Sequence, residues 1–321
     1  MSVGARPPRE PTGDSATVGW PVGPTPDVVA EMVRSLELTI TRRLDGVLHG
    51  NFEGLTPGHG SEPGESRVYQ PGDDVRRIDW NVTARTAETH VREQIADRDL
   101  TAWLVIDASA TMQFGTTTDD KAQVALAAAA TVGFLTARNQ NRLGAVLVAG
   151  PHVRVVPPRS GRAQVRAVLA AAATPPDTEH AGPGDLAGAI ARVDALARRR
   201  GFVTVVSDLR GQAWTGALGR LGLRHDLLAV AVDDPRELTI PPVGLVEFVD
   251  PATGRSREVR VTPEVQRRFT AEADARRVAR RDAVRRAGGD LVELSTDGDW
   301  LGRIVGHVQQ RRVQLVRGGV I

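Results

Sequence analysis

Two apolar runs, far apart in the chain, each stop at an aspartate. Ala102 to Ile106 runs into Asp107, and Phe202 to Ser207 runs into Asp208. Neither run alternates polar with apolar residues, so each predicts a strand buried on both faces. Strands of that kind belong to sheets covered on both sides by helices, and the rest of the chain supplies them. Helical patterns run from about Lys121 to Ala137, Gly161 to Ala173, Asp185 to Arg199 and Trp214 to Leu221. Further apolar strands fall at Arg142 to Val148, Leu227 to Val232 and Asp290 to Leu294, with Val153 to Val156 as a short hairpin partner of the first. This alternation predicts an α/β fold, a doubly wound and mostly parallel sheet.

The flanking sequence divides into recognisable parts. Residues 1–26, rich in Pro, Gly, Ser and Thr, are expected to form a disordered arm. Residues 27–98 form a smaller amino-terminal segment, opened by a helix that Asp27 caps and that carries Val29, Met32, Val33, Leu36, Ile40 and Leu44 at helical spacing. Thr89 to Ile95 is expected as a strand leading to the central one. Residues 99–321 hold the sheet, with a hairpin excursion near 243–261 around Pro251-Ala-Thr-Gly254. Thr118 or Asp119 caps the first long helix. Pro263 to Ala287 is an Arg-rich helix with a thin apolar stripe of Val265, Phe269, Ala273 and Val278, its charged side expected in solvent. A last helix is expected from about Trp300 to Arg311.

Composition excludes several chemistries. The chain contains no cysteine, which removes disulfides, thiolate metal sites and cysteine nucleophiles. Aromatic residues are only 4%, so the core must rest on Val, Leu, Ile and Ala. Arginine almost replaces lysine, the single lysine being Lys121. No apolar run approaches the roughly 20 residues that span a bilayer. The first residues also lack a charged-then-apolar leader pattern. A cytoplasmic protein without an integral membrane segment is expected.

The residues that can carry function gather at the strand ends. Asp107, Ser109 and Thr111 present oxygens at alternate positions, and Asp208 ends the second buried strand. At the switch point of a doubly wound sheet these ends can lie side by side, forming one rim. An oxygen-only set suits Mg2+ or Mn2+ with waters completing the octahedron. The alternative is that Ser109 and Thr111 cap turns while Asp107 pairs with an arginine. Upstream, Tyr69, Pro71, Gly72, Asp73, Asp74, Arg76, Asp79, Trp80 and Arg85 crowd charge and aromatic surface into a short span. There Asp73 or Asp74 can cap a helical turn, and Arg76 and Asp79 are spaced to pair.

These strings also carry a resemblance. Asp107-Ala-Ser-Ala-Thr111 is similar to the D-x-S-x-S loop of the metal-ion-dependent adhesion site in von Willebrand factor A domains, with threonine for the last serine. That family takes a third hydroxyl from a G-x-T loop. Here Gly184 stands in the threonine position, and Asp185 beside it either reaches the metal or caps the following helix. The string Y-x-P-G-D-D-x-R-x-I-D-W over Tyr69 to Trp80 resembles the signature of the bacterial family called domain of unknown function fifty-eight. Members place it just upstream of a von Willebrand A-like domain. Lys121 at the start of the next helix fits that pattern, and Asn141 departs from it, standing where the family has an acid. The resemblance implies a partnership with MoxR-type AAA+ ATPases in assembly or maturation of a client protein.

Three functions compete on these residues. The first is a non-enzymatic adaptor that grips a partner at the rim, the ATP-binding being left to the partner because the chain has no P-loop string. The second is a hydrolase in which Asp107 and Asp208 hold Mg2+. It lacks a nucleophile elbow, and histidines such as His59, His90 and His152 are scattered. The third is nucleic-acid binding by the Arg267 to Arg286 helix, which Glu272, Asp274 and Asp282 and the lack of stacking aromatics argue against. The adaptor, with no nucleic-acid partner, is the reading the residues favour.

Overall fold

The computed structural model describes residues 26–47, 66–69, 75, 78–92, 101–138, 141–174, 184–307 and 310. The arm at 1–25 and the motif residues Pro71, Gly72, Asp73, Asp74 and Arg76 lie outside these residues.

The two acid-ended runs are adjacent central strands. β3 (Thr101–Asp107) lies between β4 (Arg142–Ala149) and β6 (Phe202–Ser207). β4 is flanked by β5 (His152–Ser160), and β6 is followed outward by β7 (Asp226–Asp233) and β10 (Asp290–Ser295). Among the described residues this makes a six-stranded sheet of order β10-β7-β6-β3-β4-β5, parallel except for β5. The chain winds outward from β3 through β4 to β5, then crosses back to β6 and winds the other way. The switch point therefore falls between β3 and β6, where a doubly wound sheet opens its crevice.

Helices cover both faces because the strands are apolar on both. On one face Ala102, Leu104 and Ile106 of β3 meet α1 (Pro26–Val47), α3 (Lys121–Arg138) and α4 (Arg162–Ala173). On the other, Trp103 and Val105 meet α5 (Leu186–Leu196), α6 (Trp214–Gly222) and α8 (Pro263–Arg286). α3 is apolar nearly all round, as a helix wedged between sheet and helices must be. Its alanines keep it thin enough to fit there. Val29, Val33 and Ile40 of α1 join this first core, so the amino-terminal helix packs directly on α3 and α4. Residues 300–307 close the same face through Leu301, Ile304 and Val305.

Several local expectations shift by small amounts with clear causes. α1 begins at Pro26, which places Asp27 inside its first turn. The residue that closes the start of α3 is Asp120, not Thr118 or Asp119. Its carboxylate accepts from the Gln123 N–H at 2.7 Å while its own N–H donates to Gln123 Oε1 at 2.9 Å, a reciprocal capping box. α2 (Trp80–Thr86) is capped by Asp79, which accepts from the N–H groups of Asn81 and Val82. β1 (Ser66–Val68) and β2 (His90–Arg92) pair antiparallel as a separate small sheet. β2 therefore covers part of the expected 89–95 strand without joining the central sheet.

The hairpin stands as β8 (Leu245–Val249) and β9 (Ser256–Arg260). On α8 the stripe departs from expectation: Val278 is 54% exposed, and the buried positions are Ala273, Arg280, Ala283 and Val284. At 100° per residue, position 280 lies almost directly above 273, whereas 278 is turned well away. An arginine therefore occupies a core position, and its charge demands partners. Among the described residues no helix is long and apolar enough to cross a membrane.

The end of α6 meets the end of α8 so closely that a Cβ at Gly222 would fall on the Ala287 carbonyl oxygen. Gly222→Ala is expected to lower stability by about 1–3 kcal/mol, measured by urea unfolding, since the obstruction is backbone and cannot rotate aside.

Candidate functional site at the carboxyl rim

The switch point brings the ends of β3 and β6 together. Ser207 Oγ donates to Asp107 Oδ2 at 2.6 Å, and the other oxygen, Oδ1, accepts from the Ser109 N–H at 2.9 Å. The loop after β3 folds into a 3-10 turn over Ala110–Gln113. That turn sets Ser109 Oγ and Thr111 Oγ1 3.2 Å apart, within hydrogen-bond reach of each other. Burial pushes the Asp107 carboxyl above its ordinary pKa, and the nearby Asp208 charge adds to this against the hydrogen bonds from Ser207 and Ser109.

Asp208 is claimed by cations. Lys121 Nζ donates to its Oδ2 at 2.9 Å and to Glu237 Oε1 at 2.8 Å. The Lys121 side chain is 0% exposed. Arg210 Nε approaches the same Oδ2 at 3.1 Å, the Arg210 N–H donates to Oδ1 at 3.3 Å, and its Nη2 also pairs with Glu237. The turn that permits this places Leu209 in the left-handed region at φ 51°, unusual for a residue with a Cβ. Trp214 Nε1 pins that turn by donating to the carbonyls of Leu209 and Gly211.

The third loop arrives beside the other two. The Asp185 N–H donates to the Gly150 carbonyl at the end of β4, which sets Gly184 against the β3 loop. A Cβ at Gly184 would lie 3.0 Å from Ser109 Cβ and 3.3 Å from Asp107 Oδ1. The Asp185 carboxylate caps α5, accepting from the Gly188 N–H at 2.8 Å. Of the two roles open to it, the structure shows the cap. Asp107, Ser109, Thr111, Asp208 and Gly184 thus share one rim. Tyr69, Asp79, Trp80 and Arg85 sit in or near α2 and the small sheet, with Trp80 70% exposed.

A second ionic layer fastens the outer strands to this rim. Asp234 caps α7 (Pro235–Leu238). Its Oδ2 also accepts from the Thr116 N–H at 2.8 Å and from Thr296 Oγ1 at 2.8 Å, so one carboxylate ties the loops after β3, β7 and β10. Burial would raise its pKa, but these hydrogen bonds hold it below the ordinary value. Arg280, the buried arginine of α8, forks onto Asp233 at 3.0 and 2.6 Å, and reaches Glu293 Oε1 at 2.9 Å and the Asp208 carbonyl at 3.2 Å. The Arg267–Arg286 helix is therefore in part a structural clamp and not wholly a solvated face.

Sequence reasoning did not pair Lys121, Arg210 and Glu237 with Asp208, nor Ser207 with Asp107. The one available signal was Lys121 itself, a solitary lysine at the start of an apolar helix.

The fold and the rim define a doubly wound α/β protein whose first sheet strand ends in an acid-and-hydroxyl loop at the switch point. The chain belongs to the family described as "Protein of unknown function DUF58", which matches residues 65–279. The uncharacterized protein Rv1480 of Mycobacterium tuberculosis strain H37Rv is 46% identical over 285 residues, covering 88% of this chain and 90% of that protein. Mb1516 of Mycobacterium bovis matches to the same extent. Among solved structures, BatB of Bacteroides thetaiotaomicron is 13% identical with a TM-score of 0.41, covering 66% of this chain and 98% of that one. The VWA domain of SpRpn10 is 13% identical with a TM-score of 0.36, covering 65% and 94%. The family that the Tyr69–Trp80 string resembles is the family to which the chain belongs.

Two outcomes follow from the ionic layers. Lys121→Met leaves Asp208 and Glu237 buried with Arg210 as their shared cation, and is expected to cost about 3–5 kcal/mol in chemical denaturation. Burial alone would raise the Glu293 pKa, yet hydrogen bonds from Arg280 and Arg281 and the neighbouring guanidinium charges lower it from 4.5 to about 2. Its folded value lies below its unfolded value, so its stabilisation is present above about pH 4.5 and disappears as pH falls toward 2. Glu293→Gln is expected to flatten this acid limb of the stability–pH curve.

Proposed function

We propose that the protein is a non-enzymatic adaptor that binds a partner across the carboxyl rim, working in the cytoplasm with a MoxR-type AAA+ ATPase on a client protein. The supporting observation is how the rim's carboxylates are spent. Both oxygens of Asp107 already accept hydrogen bonds, and both of Asp208 accept from Lys121 or Arg210. Groups held this way keep a surface in shape and are poorly placed to act as a free base or nucleophile. Beside them Arg210 exposes 52% of its side chain, a cation facing outward at the switch point. Trp80 offers a second contact area, since exposed aromatics are strong anchors in interfaces.

The ATPase is inferred from the family signature. Its ATP chemistry would complement a chain without a P-loop string.

Binding of the purified chain to a purified MoxR-type AAA+ ATPase tests the proposal, read by biolayer interferometry with ATP present. Arg210→Glu and Trp80→Ala are each expected to weaken binding about tenfold or more, Trp80→Ala with an unchanged melting temperature and Arg210→Glu with a lowered one, since it sets a further carboxylate against Asp208 and Glu237. Equal affinity in both variants would remove these two surfaces from the interface, and no binding by the native chain would remove the ATPase. Phosphoester turnover by the native chain, lost in Asp107→Ala, would make it an enzyme instead.

A further inference from the structure

We infer that the rim works without a divalent cation, the ammonium of Lys121 supplying from inside the fold the positive charge that a bound metal would bring. The residues at the adhesion-site positions do not fit Mg2+ or Mn2+, on grounds of charge, of the donor set and of where Lys121 stands.

The first reason is charge. A hard cation needs carboxylate oxygens with charge to spare. Asp208 Oδ2 is already shared by Lys121 Nζ at 2.9 Å and Arg210 Nε at 3.1 Å. Lys121 cannot swing out to make way. Its side chain is fully buried, and Glu237 holds the same Nζ at 2.8 Å. Asp107, Asp208 and Glu237 carry three formal negative charges against the two positive charges of Lys121 and Arg210. A metal entering beside Asp208 would meet two fixed cations with only one uncompensated carboxylate to offset them.

The second reason is the donor set. Asp107 uses one oxygen for the Ser109 N–H and the other for Ser207 Oγ. Ser109 Oγ and Thr111 Oγ1 face each other at 3.2 Å. Gly184 brings no hydroxyl to the position beside Ser109. The space a side chain would need there is already narrow, a Cβ lying 3.0 Å from Ser109 Cβ. Asp185, the carboxylate next to Gly184, is turned onto the first turn of α5.

The third reason is the placement of Lys121. It is the first residue of α3, and a helix amino terminus disfavours positive charge. A lysine buried there has a cost that only the paired Asp208 and Glu237 carboxylates offset.

The inference is about the rim's chemistry and rests on the adaptor reading only for what binds there. It is therefore tested on the native chain alone, by Mn2+ titration followed by electron paramagnetic resonance. With the protein in excess, added Mn2+ is expected to remain free up to about 1 mM, and saturating Mg2+ is expected to leave the melting temperature unchanged. Sub-millimolar binding that disappears in Asp107→Asn would overturn the inference whatever the partner. A double variant, Lys121→Met with Gly184→Thr, removes the ammonium and restores the hydroxyl. It is expected to bind Mn2+ at least tenfold more tightly than the native chain and to be stabilised by it. A folded double variant that gains no affinity would show that Lys121 is not what excludes the metal. If that variant does not fold, the native titration still decides the question. Partner capture that persists in EDTA would extend the result to the complex, and capture abolished by EDTA would count against it.

Discussion

One buried ammonium fixes how three loops of this protein meet. Lys121 begins α3, which follows β3, while Asp208 comes directly after β6 and Glu237 belongs to α7 after β7. Dehydrating a lysine costs several kcal/mol, more so at the positive end of a helix. That cost is offset only where both carboxylates are in place, so the ion cluster demands one arrangement of the three loops. The Asp107 geometry depends on that arrangement, because Ser207, the residue before Asp208, donates to it. Arg210 then lies across Asp208 and Glu237 and carries the cluster's charge to the surface.

The sheet and the rim are stabilised by different physics. The core is Val, Ala, Leu and Ile, packed on both faces of the parallel strands, and its energy is non-directional apolar burial. The rim is ionic and directional. Arg280 clamps Asp233 and Glu293, and Asp234 joins the loops carrying Thr116 and Thr296. Apolar packing alone would let the loops at the strand ends settle in many ways. The buried pairs select one, since a charge left without its partner inside the protein is far more costly than a small loss of contact.

That division explains what could be read without a structure. The strands were legible because a continuous apolar run bounded by an acid or a turn admits few other folds, and β3 and β6 fall where the runs do. The convergence of Asp107 and Asp208 was legible from topology, given an open sheet with its switch point between them. Capping was legible in kind but not to the residue, since Thr118, Asp119 and Asp120 are all competent and only Asp120 has Gln123 three positions on. The ion pairs were not legible. Lys121 and Glu237 are 116 positions apart, and nothing local to either marks the other as its partner. Arg280 was hidden differently. A stripe counted in apolar letters passes over a charged residue at a core position, although helical geometry alone puts 280 above 273.

The solitary lysine has a consequence for handling the protein. An activated ester that modifies primary amines meets no lysine side chain in the folded state, because the only one is enclosed and bonded to two carboxylates. A mass increase at position 121 therefore counts molecules that have opened the rim, and the rate at which it accumulates reports how often they do. The same enclosure shields this position from enzymes that acetylate or ubiquitinate lysines for as long as the fold is intact.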